Sequence, residues 1–158
     1  MLKHTKGNLI DMAEAGEFDF IVQGCNCHNT MGSGIAKEIR ERYPIAYEAD
    51  TKAAEIWVTP VARLGNFSFA VTDKNFVIIN AYTQVDFMPR GVDHFEYEAF
   101  YIILKKLETL AGEGVRFGFP YIGMGLAGGN PLRIVVLLEN FAAKVSAKGG
   151  SVTLVEFG

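Results

Sequence analysis

The sequence has few cysteines and no long apolar run. Cys25 and Cys27 are its two cysteines, one residue apart. Because cysteines that close in sequence make a poor structural disulfide, a disulfide-built secreted fold is excluded. No apolar run approaches the roughly 18 residues that a membrane-spanning helix needs, and residues 1–18 lack the apolar core of a signal peptide. We therefore expect a cytoplasmic protein with no membrane partner.

Excess positive charge is absent too. The formal net charge is −3, so the composition gives no electrostatic basis for binding nucleic acid. Hydrophobic residues make up 49% of the chain and charged residues 21%, which is typical of a folded globular domain. With 158 residues, the chain is expected to form one domain, residues 1–158, and to be a monomer.

Short β-prone runs alternate with segments of helical length. Turn residues at 72–75 predict that the β-prone runs at 67–72 and 76–81 pair as an antiparallel hairpin. Helices are expected over residues 35–43, over 93–111 and from Asn130 onward. This order predicts a three-layer α/β sandwich with a mixed sheet. The predicted strands cover residues 18–22, 67–72, 76–81, 115–120 and 152–157.

Capping residues suggest where these helices start and stop. Pro44 is expected to stop the first helix, since proline disrupts a helix interior. Asp93 and Glu96 have the spacing of a capping box for the second helix. Asn130 is a favourable cap for the third, with Pro131 at the first helical position, where its missing N–H costs nothing.

Two glycine-rich loops each follow a predicted strand and precede a predicted helix. The first covers residues 24–34 and ends in MGSGIA, and the second, PYIGMGLAGGNP, covers residues 120–131. Ligands of open α/β sheets bind beyond the carboxyl ends of the strands. Glycine lets backbone N–H groups approach a phosphate, and a following helix N-terminus adds partial positive charge. Two such loops together indicate a diphosphate site.

The second loop also contains a G-x-G-x-x-G pattern, formed by Gly123, Gly125 and Gly128. A dinucleotide-binding fingerprint would need an acidic residue about 20 positions further on to bind the ribose, and none stands there in a fitting context. The Gly-Lys-Ser/Thr of a P-loop is absent. Either loop alone could be a tight connection, but the pair favours a phosphate-binding role.

The first loop concentrates polar side chains. Cys25, Cys27 and His28 could suggest a metal site, but zinc takes four ligands at wider spacing, so no metal or cofactor is predicted. Packing behind the loop is the preferred interpretation of both cysteines. Asn26 has an amide that suits sugar hydroxyls. His28 is either a proton-transfer group or an exposed loop histidine.

Four segments in order resemble the macro domain family. They are KGNLIDM, IVQGCNCHNTMGSGIAKEIRERYPIAY, VIINAYTQVDF and FPYIGMGLAGGN. They look closest to the ADP-ribose-1″-phosphate phosphatases of yeast and bacterial viruses. The resemblance implies a three-layer α/β/α sandwich with a central mixed sheet of about six strands. It also implies ADP-ribose or ADP-ribose-1″-phosphate as the small-molecule ligand.

The resemblance also implies roles for individual residues. Asn26 would anchor the distal ribose, His28 would be the general acid or base, and Gln84 or Asp86 would orient a water. Asn26, His28 and Asp86 are therefore the predicted catalytic residues. Asn8 stands near the adenine where the family usually has Asp. The residues expected to bind the ligand are Gly7, Asn8, Leu9, Gln23, Asn26, Met31, Gly32, Ser33, Gly34, Ile35, Ala36, Thr83, Gln84, Pro120, Ile122, Gly123, Met124, Gly125, Leu126, Ala127 and Gly128.

Departures from the family pattern affect the expected chemistry. The related branch that removes ADP-ribose from glutamate uses a Lys on the middle strand and an Asp in the second loop. Here residues 79–82 contain no Lys, and Ala127 occupies the Asp position. Conversion of ADP-ribose-1″-phosphate to ADP-ribose and phosphate is the predicted activity. A catalytically silent ADP-ribose-binding module and an ADP-ribosyl hydrolase acting on protein or nucleic acid are the alternatives.

Overall fold

Strands and helices alternate along the chain, as a computed structural model of residues 1–32, 34–89, 91–125 and 127–158 shows. In chain order the elements of these residues are β1 (Leu2–Gly7), α1 (Leu9–Glu14), β2 (Phe20–Asn26), α2 (Gly34–Arg42), α3 (Pro44–Ile56), α4 (Pro60–Arg63), β3 (Phe67–Val71), β4 (Val77–Gln84), α5 (Tyr97–Leu110), β5 (Arg116–Phe119), α6 (Pro131–Ala147) and β6 (Ser151–Phe157).

The strands form one six-stranded mixed sheet in the order β1-β6-β5-β2-β4-β3. Neighbouring strands run parallel, apart from β3 and β4, which pair antiparallel. The mixed sheet of about six strands and the hairpin are thus confirmed. The parallel arrangement brings the carboxyl ends of β2, β4 and β5 to one edge.

Helices cover both faces of the sheet. On one face, α5 and α6 bury Phe100, Ile103 and Leu138 against it. On the other face, α1 and α2 bury Ile10 and Ile39 in a second core. This confirms the three-layer α/β/α sandwich. Within the described residues, no helix combines the length and apolarity needed to cross a membrane.

The cap of α6 is as expected. Asn130 precedes the helix, and its side-chain oxygen accepts a hydrogen bond from the Leu132 N–H at 3.0 Å. Pro131 occupies the start of the helix, where no intrahelical N–H bond is lost.

The predicted capping box of Asp93 and Glu96 is wrong. Helix α5 begins at Tyr97, after an N-cap residue, Glu96, that makes no side-chain capping bond. The Asp93 carboxylate is occupied before the helix, where it accepts hydrogen bonds from the Phe95 N–H at 3.0 Å and the Tyr97 hydroxyl at 2.6 Å. It therefore stabilises the approach to α5 instead of its first turn.

The sequence patterns missed strand β1 and helices α1, α3 and α4. Strand β1 lies at the edge of the sheet, and the four residues at 3–6 are exposed, so no apolar alternation marks it. Pro44 does follow the end of α2, but it also starts α3 at a position where proline is tolerated.

Candidate functional site

A cavity of about 350 Å³ lies at the edge where the carboxyl ends of β2, β4 and β5 meet. We call it the first cavity. The glycine loops that follow β2 and β5 form most of its wall. The predicted ligand-binding residues that line it are Asn26, Met31, Gly32, Gly34, Ile35, Ala36, Gln84, Pro120, Ile122, Gly123, Gly125 and Ala127.

A second cavity, of about 560 Å³, adjoins the first. Gly34, Ile35, Pro120 and Tyr121 line both cavities, so together they form one cleft. The predicted residues Gly7 and Leu9 line the second cavity. Its remaining wall carries the apolar side chains of Val155 and Phe157 and the charged side chains of Lys37, Glu38 and Glu41.

The end of β2 sets the position of Asn26. A bulge between Cys25 and Asn26 shifts the register, so Asn26 pairs with Gln84 of β4. The Asn26 amide donates to the Thr30 hydroxyl at 2.8 Å, and its oxygen accepts from the His28 N–H at 2.8 Å. The Gln84 amide donates to the Asp86 carbonyl at 2.7 Å. These bonds hold the loop in a defined shape.

A buried arginine also holds the first loop. Arg63 is 5% exposed, and its guanidinium donates to the Cys27 carbonyl and, at 3.3 Å, to the Asn29 side-chain oxygen. Asn29 and Met31 have positive φ angles of 58° and 42°, which non-glycine residues rarely adopt. The surrounding contacts thus impose a strained backbone beside the first cavity.

The glycines of the second loop divide into two kinds. A side chain at Gly123 would meet the Phe95 ring at 2.3 Å, and one at Gly128 would meet the Val92 carbonyl at 2.7 Å. These two positions are glycine because the loop packs tightly on the segment before α5. Gly125 is different, since a Cβ there would have no neighbouring atom within 4 Å among the described residues.

Two residues of the second loop that line the first cavity, Gly123 and Gly125, carry backbone N–H groups. Among the described residues, no acceptor is found for the N–H groups of Gly123 and Gly125. The N-terminus of α2, at Gly34, Ile35 and Ala36, also lines the cavity. First-turn N–H groups of a helix have no intrahelical partner, so both parts of the cavity wall suit an anion.

His28 and Asp86 lie beside the first cavity. The His28 Nε2 is 2.8 Å from an Asp86 carboxylate oxygen, and both residues are exposed. Neither belongs to the described lining of either cavity, whereas their neighbours Asn26, Gln84 and Phe87 line the first. The structure therefore pairs the two predicted catalytic side chains at the margin of the cavity.

The two cysteines are buried free thiols. Burial raises the pKa of Cys25 well above its usual value. Burial also raises the pKa of Cys27 to about 11, although the positive charge of Arg63 opposes this change. Both stay protonated near neutral pH, so neither is a ready nucleophile. Within the described residues, no group of three or more His, Cys, Asp or Glu side chains could hold a metal ion.

Several predicted ligand-binding residues lie elsewhere. Gln23 and Thr83 are 1% and 0% exposed, and the Gln23 amide donates to Asn80 at 2.8 Å. Their side chains belong to the protein interior. Asn8 caps α1, its oxygen accepting from the Asp11 N–H at 2.9 Å. Met124 packs against the core of α5 and α6. Predicted residues Ser33 and Leu126 lie outside the described residues.

The first cavity also has lining residues that the sequence patterns missed. Phe87 and Tyr121 are aromatic and exposed at 42% and 43%. Asp50 of α3 is a buried carboxyl. Burial raises its pKa, against the opposing effects of a hydrogen bond from Tyr82 and the charge of Arg63. No local motif marks Asp50, because it reaches the site through the packing of α3.

No protein-family model matches the chain. The uncharacterized 17.5 kDa protein from the tk-vs intergenic region of Enterobacteria phage T4 is 31% identical, with 92% of each chain covered. The macrodomain of Mycobacterium tuberculosis DarG superposes with a TM-score of 0.76 at 19% identity, covering 98% of this chain and 97% of that one. Thermosipho africanus DarTG, solved in complex with ADP-ribose, gives a TM-score of 0.74 at 13% identity, covering 90% of this chain and 39% of that one.

Proposed function

The chain belongs to one family with the phage T4 protein and has the macrodomain fold, and from that premise we propose that it binds ADP-ribose in the cleft. The observation that carries the proposal is a pair of glycine positions, one from each loop, that line the first cavity. Among the described residues, a Cβ at Gly32 would come no closer than 3.9 Å to another residue, and one at Gly125 would have no atom within 4 Å. Packing does not require glycine at either position, whereas a phosphate between the loops would.

The cleft has a place for each part of ADP-ribose. The diphosphate lies between the Gly125 N–H and the N-terminus of α2, where backbone donors and the helix dipole favour negative charge. The adenine occupies the second cavity, between apolar side chains such as Leu9 and Phe157. The distal ribose enters the first cavity near Asn26 and Gln84.

We further propose that the protein hydrolyses ADP-ribose-1″-phosphate. Hydrolysis breaks the bond between phosphorus and the C1″ oxygen, water supplies the new oxygen on phosphate, and the C1″ oxygen leaves with a proton. His28 is the group for proton transfer, because Asp86 fixes its ring at 2.8 Å and leaves Nδ1 for exchange with the ligand. Asn26 would hold the ribose that presents the phosphate.

One observation favours a binding module without catalysis as the second candidate. His28 and Asp86 are exposed and lie outside the described lining of the cavities. A general acid must come within about 3 Å of its target, or reach it through one water. Binding alone requires neither residue.

Calorimetry tests the binding proposal. Titration with ADP-ribose is expected to give a 1:1 complex, while AMP and ribose 5-phosphate bind much more weakly because each fills one part of the cleft. Absence of saturable heat with ADP-ribose at millimolar concentration would refute the proposal.

Phosphate release from ADP-ribose-1″-phosphate separates the two candidates. The phosphatase proposal predicts release well above the uncatalysed rate. Normal ADP-ribose binding with no release would establish the binding module instead.

A further inference from the structure

Asp50 is the one charged side chain among the described residues that line the first cavity. It is 1% exposed and comes from α3, outside both glycine loops. Burying a carboxyl is costly unless hydrogen bonds compensate it. One carboxylate oxygen, Oδ1, accepts from the Tyr82 hydroxyl at 2.7 Å. The second carboxylate oxygen, Oδ2, accepts no hydrogen bond from the described residues.

A chain of hydrogen bonds leads to this carboxyl along β3 and β4, on the face of the sheet that α3 covers. The Asn80 amide donates to the Ser68 hydroxyl at 3.1 Å. Ser68 and Tyr82 are 2.8 Å apart. Because the Tyr82 proton is used on Asp50, the Ser68 hydroxyl must be the donor to Tyr82. Each group thus donates toward Asp50, which is the final acceptor of the chain.

Two other polar side chains of the cavity wall already make hydrogen bonds within the protein. The Asn26 amide bonds to Thr30 and the His28 N–H, and the Gln84 amide bonds to Asp86. The glycine loops and the α2 N-terminus supply N–H donors, which suit phosphate oxygens but cannot accept a proton from a hydroxyl. Asp50 is therefore the acceptor that complements these donors.

We propose that Asp50 accepts a hydrogen bond from a sugar hydroxyl of the ligand and makes the part of the first cavity beside it, the cavity floor, selective for a ribose over an anionic group. This inference rests on the proposed binding of ADP-ribose. A carboxylate in a poorly solvated cavity attracts a hydroxyl and repels a phosphate oxygen. The phosphates then occupy the backbone donors, and the distal ribose occupies the cavity floor.

The test compares ADP-ribose with ADP, which lacks the distal ribose. Asp50→Ala is expected to lower the affinity for ADP-ribose by about tenfold to a hundredfold, the range for losing a hydrogen bond to a charged group. The affinity of Asp50→Ala for ADP should stay within a few-fold of wild type, so this variant should lose most of the preference for ADP-ribose over ADP. Asp50→Asn keeps the shape and turns its oxygen to Tyr82, so an uncharged NH2 faces the ligand; because this group no longer repels an anion and can only donate to the sugar, the preference for ADP-ribose should fall between those of wild type and Asp50→Ala.

Ser68→Ala is the matched control. It breaks the same chain of hydrogen bonds two groups away from the cavity, so it should lower the melting temperature while keeping the preference for ADP-ribose over ADP. If Asp50→Ala does not fold, Asp50→Asn becomes the deciding variant.

The result can overturn the inference in three ways. Asp50 variants that weaken both ligands in proportion, or neither ligand, would show that the carboxyl is structural. A wild type that binds ADP and ADP-ribose equally would refute the sugar site while leaving the phosphate site intact. A wild type that binds neither ligand would refute the proposed function and this inference with it.

Discussion

At the scale of single residues, Gly125 gives the sharpest test of the phosphate site. Gly125→Val should abolish ADP-ribose binding, because the branched side chain would project into space that no other described residue fills. Folding should persist, since no atom of the part of the chain that the structure describes lies within 4 Å of a Cβ there. Calorimetry and the melting temperature measure the two effects.

Gly112→Val is the matched control for Gly125→Val. A Cβ at Gly112 also meets no atom of the described residues within 4 Å, and this glycine lies outside the described lining of the cleft. It should bind ADP-ribose like wild type. Normal binding by Gly125→Val would show that the second loop does not hold the phosphates.

The phosphatase proposal assigns proton transfer to His28. His28→Ala should slow phosphate release by about 10²–10⁴-fold, the usual effect of removing a general acid or base. ADP-ribose affinity should change little, because His28 is outside the described lining of the cleft. Asn26→Ala should weaken both binding and release, since Asn26 lines the cavity.

A pH–rate profile adds a second measurement for His28. If His28 transfers the proton, the wild-type profile should have a limb that is absent from His28→Ala. An active variant with an unchanged profile would transfer the proton-transfer role to a carboxylate, and Asp86→Asn would then be tested.

Asn8 separates a capping role from a ligand-binding one. Asn8→Ala should lower the free energy of unfolding by about 0.5–2 kcal/mol, the usual cost of losing an N-cap, because its oxygen caps α1. ADP-ribose affinity should remain within a few-fold of wild type, since the cavity wall beside it is formed by Gly7, Leu9 and Glu38. A large loss of affinity in a stable variant would place the Asn8 amide on the adenine instead.

At the scale of elements, Asp19 joins the start of β2 to β5. Its carboxylate accepts from the Arg116 N–H at 2.8 Å and from the guanidinium at 3.0 and 3.1 Å. Hydrogen bonds from Arg116 lower the pKa of Asp19, although burial opposes them. A carboxyl whose pKa is lower in the folded than in the unfolded state adds stability above its unfolded pKa, and that stability is lost as the pH falls.

Asp19→Asn should therefore flatten the acid side of the stability profile. At pH 7 the loss should be on the order of 1 kcal/mol, since the pair is more than one-third exposed and screened by solvent. Below the ordinary Asp pKa of about 4 the difference from wild type should shrink. Urea unfolding of wild type and Asp19→Asn at pH 7 and at pH 3 measures the two stability differences. The same difference at both pH values would contradict a contribution from the ionised Asp19 carboxylate.

The sequence predicted elements whose signals are local. The β3–β4 hairpin was recognisable because turn residues join two apolar runs, and α6 because Asn130 and Pro131 mark its start. Strand β1 was missed because its burial depends on pairing with β6 at the other end of the chain. Helix α3 was missed because Pro44 was interpreted only as a stop signal.

The distinction between local signals and features that depend on distant contacts applies to the site as well. Glycines identified both loops, since backbone geometry leaves a direct trace in residue type. Gln23 and Thr83 were misplaced because motif position does not show which face of a strand turns inward. Asp50 was missed because its role depends on how α3 packs beside β3 and β4, which no local pattern records.

At the scale of the whole molecule, ligand binding and folding stability should be linked. The cleft draws lining residues from β1, β2, β4, β6, α1, α2 and α3, so an unfolded chain retains no site. ADP-ribose at a hundred times its Kd should raise the free energy of unfolding by about 2.7 kcal/mol. Urea unfolding with and without ligand measures the rise, and Gly125→Val should show none. A rise in wild type equal to that in Gly125→Val would indicate binding elsewhere.

The pairing of β1 with β6 imposes an order of events during synthesis. The register sets Gly7 beside Phe157, and both residues line the second cavity. A ribosome releases Gly7 long before Phe157, so the nascent chain carries both glycine loops before Phe157 can complete the wall of the second cavity. A translation product arrested before β6 would leave β1 without its sheet neighbour and expose the apolar core to chaperones and proteases.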